Sequence, residues 1–290
     1  MTGNPAREAA ERPVTIKLSF CSLWLLITIY AVARILQLFP GRVPMLPIVA
    51  LHVLPPMLFA LIQGAMLYRV RGILVFFTIC VLVGNIVENI GVRTALPFGR
   101  YYFTEVMGPK LFSAPILLGL AYVGMGYLSW TLSRVILGCL GKQIRAAHLV
   151  TLPLLAAFIM VAWDFSMDPT WSTIVQAWVW EHGGIYFGVP LGNFLGWYLT
   201  VYLIFQLFAL SLRGREANSE DLPQKYWQMT IVFYAVSAIG NVLLAIPRPV
   251  TSMVTDGSGA QWQARHCRCL CFDLDIPDGR DFCAGLAQVA

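Results

Sequence analysis

Residues 72–91 read GILVFFTICVLVGNIVENIG, twenty positions with one ionisable group, Glu88. A bilayer core of about 30 Å is crossed by roughly 20 apolar residues in an α-helix, so this stretch reads as a membrane span. Six further stretches of the same character flank it, at about 18–39, 45–68, 112–137, 147–165, 190–212 and 226–246. Short islands of Pro, Gly and charge separate them, such as Arg69-Val70-Arg71-Gly72 and Leu212-Arg213-Gly214-Arg215. The expected fold class is all-α, a polytopic integral membrane helical bundle of about seven transmembrane helices filling 18–250. Residues 1–17 are polar and lack the short apolar core and small-residue cleavage site of a secretory signal, so the first span is expected to be retained.

The whole chain has the same character. Of its 290 residues 58% are hydrophobic and 12% charged, with a mean hydropathy of +0.69. A soluble domain carries about 25% charged residues. Half that charge cannot keep a globular surface wet, which argues against a soluble enzyme, a disordered chain and a nucleic-acid binder. The net charge of +5 does not revive the last, because cytoplasmic loops supply a mild basic excess. Counting Lys and Arg by loop gives eleven on the side of the N-terminus, among them Arg69, Arg134 and Arg213. The other side has five, Arg42, Arg93, Arg100, Lys110 and Arg248. The bias predicts a multi-pass protein of the cell membrane with a cytoplasmic N-terminus.

Two long loops fall on the far side. Residues 92–111 read VRTALPFGRYYFTEVMGPKL, and residues 164–189 read DFSMDPTWSTIVQAWVWEHGGIYFGV. Both are rich in rings that suit a membrane interface, including Tyr101, Tyr102, Trp178, Trp180 and Tyr186. Crowding on one side suggests short re-entrant or surface-lying pieces over a pocket. Carboxyls collect there too: Glu88, Glu105, Asp164, Asp168 and Glu181, five of fifteen in the chain. Asn85, Glu88 and Asn89 share one helix face, and Asp164 and Asp168 lie four residues apart. Ionisable groups at membrane depth are costly and face a partner or a cavity, which makes Glu88 and Asp164 functional candidates. Arg34 is expected to snorkel or to pair with one of these acids, and His52 and Gln63 to bond between helices. No His, Cys or carboxylate spacing resembles a metal site, and neither a phosphate loop nor a dinucleotide fingerprint is present, so no metal and no cofactor is expected.

A neutral carboxylic acid facing an apolar cavity can protonate an isolated carbon–carbon double bond. Aromatic faces then stabilise the cation without trapping it. Water held by a second polar group completes a hydration, whereas proton loss completes an isomerisation or cyclisation. In this reading Glu88 or Asp164 donates the proton, and Asp168 and Asn193 position water. Tyr101, Tyr102, Trp180 and Tyr186 line the cation site, with Asn89 beside them as a substrate-binding residue. A lipophilic isoprenoid lying among membrane lipids suits such a site.

Several strings carry a resemblance: GNIVEN at 84–89 with PFGRYY at 97–102, Trp163-Asp164 with Met167-Asp168-Pro169, and WVWEHGGIYFGVPLGNFLGW at 178–197. Together they resemble the membrane carotenoid-biosynthesis family, carotenoid 1,2-hydratase type, over about 20–265. The resemblance implies a carotenoid substrate and a hydro-lyase that adds water to the terminal double bond of an acyclic end, giving a tertiary alcohol with no redox cofactor. Other carotenoid enzymes are implied as partners. Competing readings are an end-group cyclase or isomerase, and a non-enzymatic transporter or assembly factor.

The character changes after Ala264. Residues 266–290 hold four of the seven cysteines, Cys267, Cys269, Cys271 and Cys283, with Asp273, Asp275, Asp278 and Asp281. The resemblance implies an eighth apolar helix here. A frameshift near Arg265 accounts for its loss, since suitable codons for His266–Cys271 read one base later encode Ile-Ala-Ala-Ala-Cys-Ala. The tail is accordingly expected to be poorly ordered and without function.

Overall fold

The computed structural model describes residues 5–39, 42–140, 146–213, 222–244, 253–264 and 267. The expected frameshifted tail and eighth helix therefore lie outside the described residues, apart from Cys267. Six helices among the described residues are long and apolar enough to cross a membrane. They are α1 (Pro5–Leu36), α2 (Met45–Thr94), α3 (Ile116–Ile136), α4 (His148–Pro169), α5 (Leu191–Ser211) and α6 (Gln224–Leu244). Helix α2 has 50 residues, about 75 Å if straight, more than twice the bilayer core. It does not run straight. Arg69 leaves the helical region at φ 59°, ψ 169°, and the two arms fold back so that Gly64 packs on Ile73. Each arm thus accounts for one of the two spans read at 45–68 and 72–91.

The charged island at 69–71 sits at that reversal, where backbone groups freed from the helix need water. At the same end of the bundle Arg134 is almost wholly buried. Its Nη1 donates to the Tyr68 hydroxyl at 2.6 Å and its Nε to the Cys139 carbonyl at 3.0 Å. The guanidinium also lies over the Tyr68 and Trp227 rings. We expect Arg134→Gln to cost on the order of 2–3 kcal/mol, because charge-assisted bonds are lost inside a packed end. Thermal unfolding in detergent would measure it.

At the opposite end the loops fold into three small antiparallel ribbons. Strand β1 (Tyr101–Phe103) pairs with β4 (Trp178–Trp180), β2 (Lys110–Leu111) with β3 (Ala114–Pro115), and β5 (Met253–Thr255) with β6 (Gln261–Gln263). The β1–β4 ribbon is built from the two aromatic loops, as surface-lying pieces were expected there; the β5–β6 hairpin lies outside them. In the β1–β4 ribbon Tyr101 faces Trp180 and Phe103 faces Trp178. Strand alternation turns all four rings inward and leaves Tyr102 outside.

The end of α4 is shaped by Pro169, whose missing N–H leaves the Phe165 carbonyl without its helical donor. The Tyr186 hydroxyl donates to that carbonyl at 3.3 Å. The chain then continues as a π-helical turn over Thr170–Ile174. The β5–β6 hairpin rests on the loop at 181–189. Asp256 holds the hairpin together, accepting from the Ser258 and Ala260 amides and from Trp262 Nε1.

Candidate active site

One cavity opens at the ribbon end. Its wall is mostly apolar and aromatic, with Met125, Met160, Phe98, Trp163, Trp171 and Trp197 among its residues. Its polar groups include Glu88, Asp168, Asn193, Arg34, His52 and Tyr101. Helices α1, α2, α4 and α5 and the β1–β4 ribbon each supply part of that set.

Glu88 stands on the second arm of α2 and is 3% exposed. The Tyr101 hydroxyl donates to its Oε2 at 2.6 Å, and the Tyr122 hydroxyl on α3 to its Oε1 at 2.7 Å. Tyr101 reaches Glu88 because the turn next to it carries Gly91. A Cβ there would lie 2.9 Å from the Tyr101 oxygen and 2.6 Å from the Phe98 ring. Burial, followed by the neighbouring Glu88 carboxyl, holds the Tyr101 phenol far above its usual range, so it stays a protonated donor. Tyr122 is fixed by stacking on Trp197, with ring centroids 4.8 Å apart and planes 8° from parallel.

Asp168 is 1% exposed and is gripped by a different kind of donor. Trp178 Nε1 donates to its Oδ1 at 2.9 Å, and Asn193 Nδ2 to its Oδ2 at 2.7 Å. The Trp180 ring leans on Tyr101 at 4.8 Å and closes the lid. Asp164 lies one turn before Asp168, equally buried, and its Oδ2 has no hydrogen-bond partner. It stands within electrostatic reach of Asp168 and Glu88 but does not line the cavity.

Among the residues singled out from sequence, Glu88, Asp168, Tyr101, Trp180 and Asn193 therefore meet on one wall. Four others do not line it, Asp164 and three more. Tyr102 is 48% exposed on the outer face of the ribbon. Tyr186 stacks on Phe165 and serves the carbonyl freed by Pro169. Asn89 accepts from the Ser113 amide at 2.7 Å and so anchors the loop before α3. Glu105 and Glu181 are exposed, the former paired with Lys110 at 2.9 Å. Gln63 does bond between helices, to the Tyr226 carbonyl and the Thr230 hydroxyl of α6. Arg34 does not pair with an acid: no carboxylate of a described residue lies within ion-pair distance of it, and its Nη2 bonds the Ser237 carbonyl and Asn241 instead. Tyr122 was not foreseen, since a lone tyrosine inside an apolar run carries no distinguishing signal.

Residues 45–255 match the family model described as "Carotenoid biosynthesis protein". The chain is 28% identical over 202 residues to the bisanhydrobacterioruberin hydratase of Haloarcula japonica, an alignment covering 67% of this chain and 62% of that protein. It thus spans less than two thirds of that relative's length. No solved structure matches.

Proposed function

Because this chain belongs to the carotenoid biosynthesis protein family, we propose that it adds water across the terminal double bond of an acyclic carotenoid end, giving a tertiary alcohol. One observation carries the reading: two carboxyls with opposite kinds of partner share an aromatic-lined cavity. The phenols on Glu88 can turn to donate or accept, so Glu88 can hold a proton and release it. The donors on Asp168 are an indole N–H and an amide NH2, which only donate, so Asp168 is kept as an acceptor.

The roles follow. Glu88 gives its proton to the terminal alkene carbon, leaving a tertiary cation. The faces of Tyr101, Trp178 and Trp180 stabilise that cation. Water adds to it, and Asp168 takes the proton that water loses. Asn193 and Trp178 keep Asp168 aimed. Asp164, beside both acids, serves the return of the proton to Glu88, so one water is added per cycle and no redox cofactor is consumed. The loop-charge bias supports a reading in which this end of the bundle faces away from the cytoplasm.

The direct test is expression in a lycopene-accumulating bacterium grown in 18O-labelled water, with pigments analysed by chromatography and mass spectrometry. The expected product is an acyclic hydroxycarotenoid carrying label in its new hydroxyl. A cyclised hydrocarbon would transfer the same cation chemistry to an end-group cyclase. Unchanged pigment would favour a transport or assembly role.

A further inference from the structure

Among the described residues two arginines are buried, in very different settings. Arg134 is enclosed by protein at the other end and does not line this cavity. Arg34, in the last turn of α1 and 4% exposed, forms part of the cavity wall. Its Nη2 donates to the Ser237 carbonyl at 3.0 Å and to Asn241 Oδ1, and its guanidinium lies over the Tyr30 ring. A polar seam holds it there. Tyr30 and Trp163 both bond the Ser237 hydroxyl, at 2.9 and 3.0 Å, and Asn241 Nδ2 donates to Ser166 at 2.7 Å. Helices α1, α4 and α6 are thereby stitched around the guanidinium. Gly240 leaves room for it, since a Cβ there would land on Arg34 Nε.

This arrangement holds a fixed cation against a greasy cavity with no carboxylate of a described residue as counter-ion. Nη2 is already bonded to Ser237 and Asn241, whereas Nε has no partner. A guanidinium donates and never accepts, so a pure hydrocarbon leaves the remaining donors unanswered, while an oxygen lone pair can satisfy them. The charge also opposes a carbocation forming nearby, which orients the reacting carbon toward the Glu88 and Asp168 wall. Resting on the hydration proposed above, we infer that Arg34 determines specificity: it takes a hydroxyl or carbonyl oxygen on the entering isoprenoid, so the preferred substrate is an already oxygenated isoprenoid rather than a hydrocarbon. A site that bonds a substrate oxygen discriminates against the analogue that lacks it, here as a preference in binding that still admits a hydrocarbon such as lycopene.

Binding tests this without requiring turnover. The purified full chain in detergent is titrated with geranylgeraniol, its methyl ether and the corresponding hydrocarbon, following quenching of tryptophan fluorescence and correcting for partition into empty micelles. The alcohol and the ether are each expected to bind about tenfold tighter than the hydrocarbon. Arg34→Met is expected to erase that difference while holding hydrocarbon affinity within about twofold, which also reports that the variant is folded. Equal affinities in the wild type, or a preference that survives Arg34→Met, overturn the inference. The ether decides the case even if Arg34→Met does not fold. An ether that binds only as well as the hydrocarbon shows that the hydroxyl proton is what is read, by an acceptor such as Asp168, and overturns it too. An oxygen preference without 18O incorporation keeps Arg34 in this role and removes the hydration; incorporation without a preference does the reverse.

Discussion

Glu88→Gln is expected to lower the hydroxylated product at least about a hundredfold, the usual scale for removing a general acid. The amide has the same size and stays in the same pocket, so packing against Tyr101 and Tyr122 is retained. What it loses is the proton to give. It also sets an NH2 against one of two phenols that now donate to the carboxyl at 2.6 and 2.7 Å, so one phenol must turn and accept. Tyr101→Phe and Tyr122→Phe each leave the other phenol in place, and a smaller loss, about tenfold, is expected for either. The measurement is the hydroxycarotenoid yield per unit of folded protein in the same bacterial host. A Glu88→Gln protein that makes as much product as the wild type would remove Glu88 from the chemistry.

The largest structural effect is expected at Gly184. A Cβ there would land on the Val189 carbonyl carbon and the Pro190 nitrogen. Both are backbone, so no side-chain rotation relieves the clash, and the loop between Trp180 and α5 must open. We expect Gly184→Ala to cost about 3 kcal/mol, the upper part of the usual range for overpacking, and to abolish activity. The two effects share a cause: the same loop connects Trp180 on the lid to Asn193, the donor to Asp168. Thermal unfolding and pigment yield should fall together. A variant with native stability and full product would show that the loop closes without this contact.

The spans were legible because a bilayer leaves little freedom: backbone must be satisfied internally, so each crossing is a long apolar run. The reversal at Arg69 was legible for the same reason, since a charged island cannot lie at mid-bilayer. The gathering of Glu88, Asp168, Tyr101, Trp180 and Asn193 followed from which ends of the runs share a side. Side-chain direction did not. Tyr101 and Tyr102 look alike in sequence, and only the pairing of 101–103 with 178–180 turns one in and the other out. Tyr186 reads as one more interfacial ring until the carbonyl freed by Pro169 is seen to need a donor. The setting of Arg34 was hidden because its partners, Ser237 and Asn241, lie about two hundred residues away.

The β1–β4 ribbon also bears on biogenesis. Its strands come from the loop after α2 and the loop after α4, so α3 and α4 must both be inserted before Trp178 and Trp180 can meet Phe103 and Tyr101. Until then Asp168 has neither its indole nor its Asn193 amide, and the membrane holds a half-built pocket with a bare acid. The lid is therefore a late step of assembly. A chain interrupted between α4 and α5 would carry its first spans in place and still be unable to shelter a cation from water.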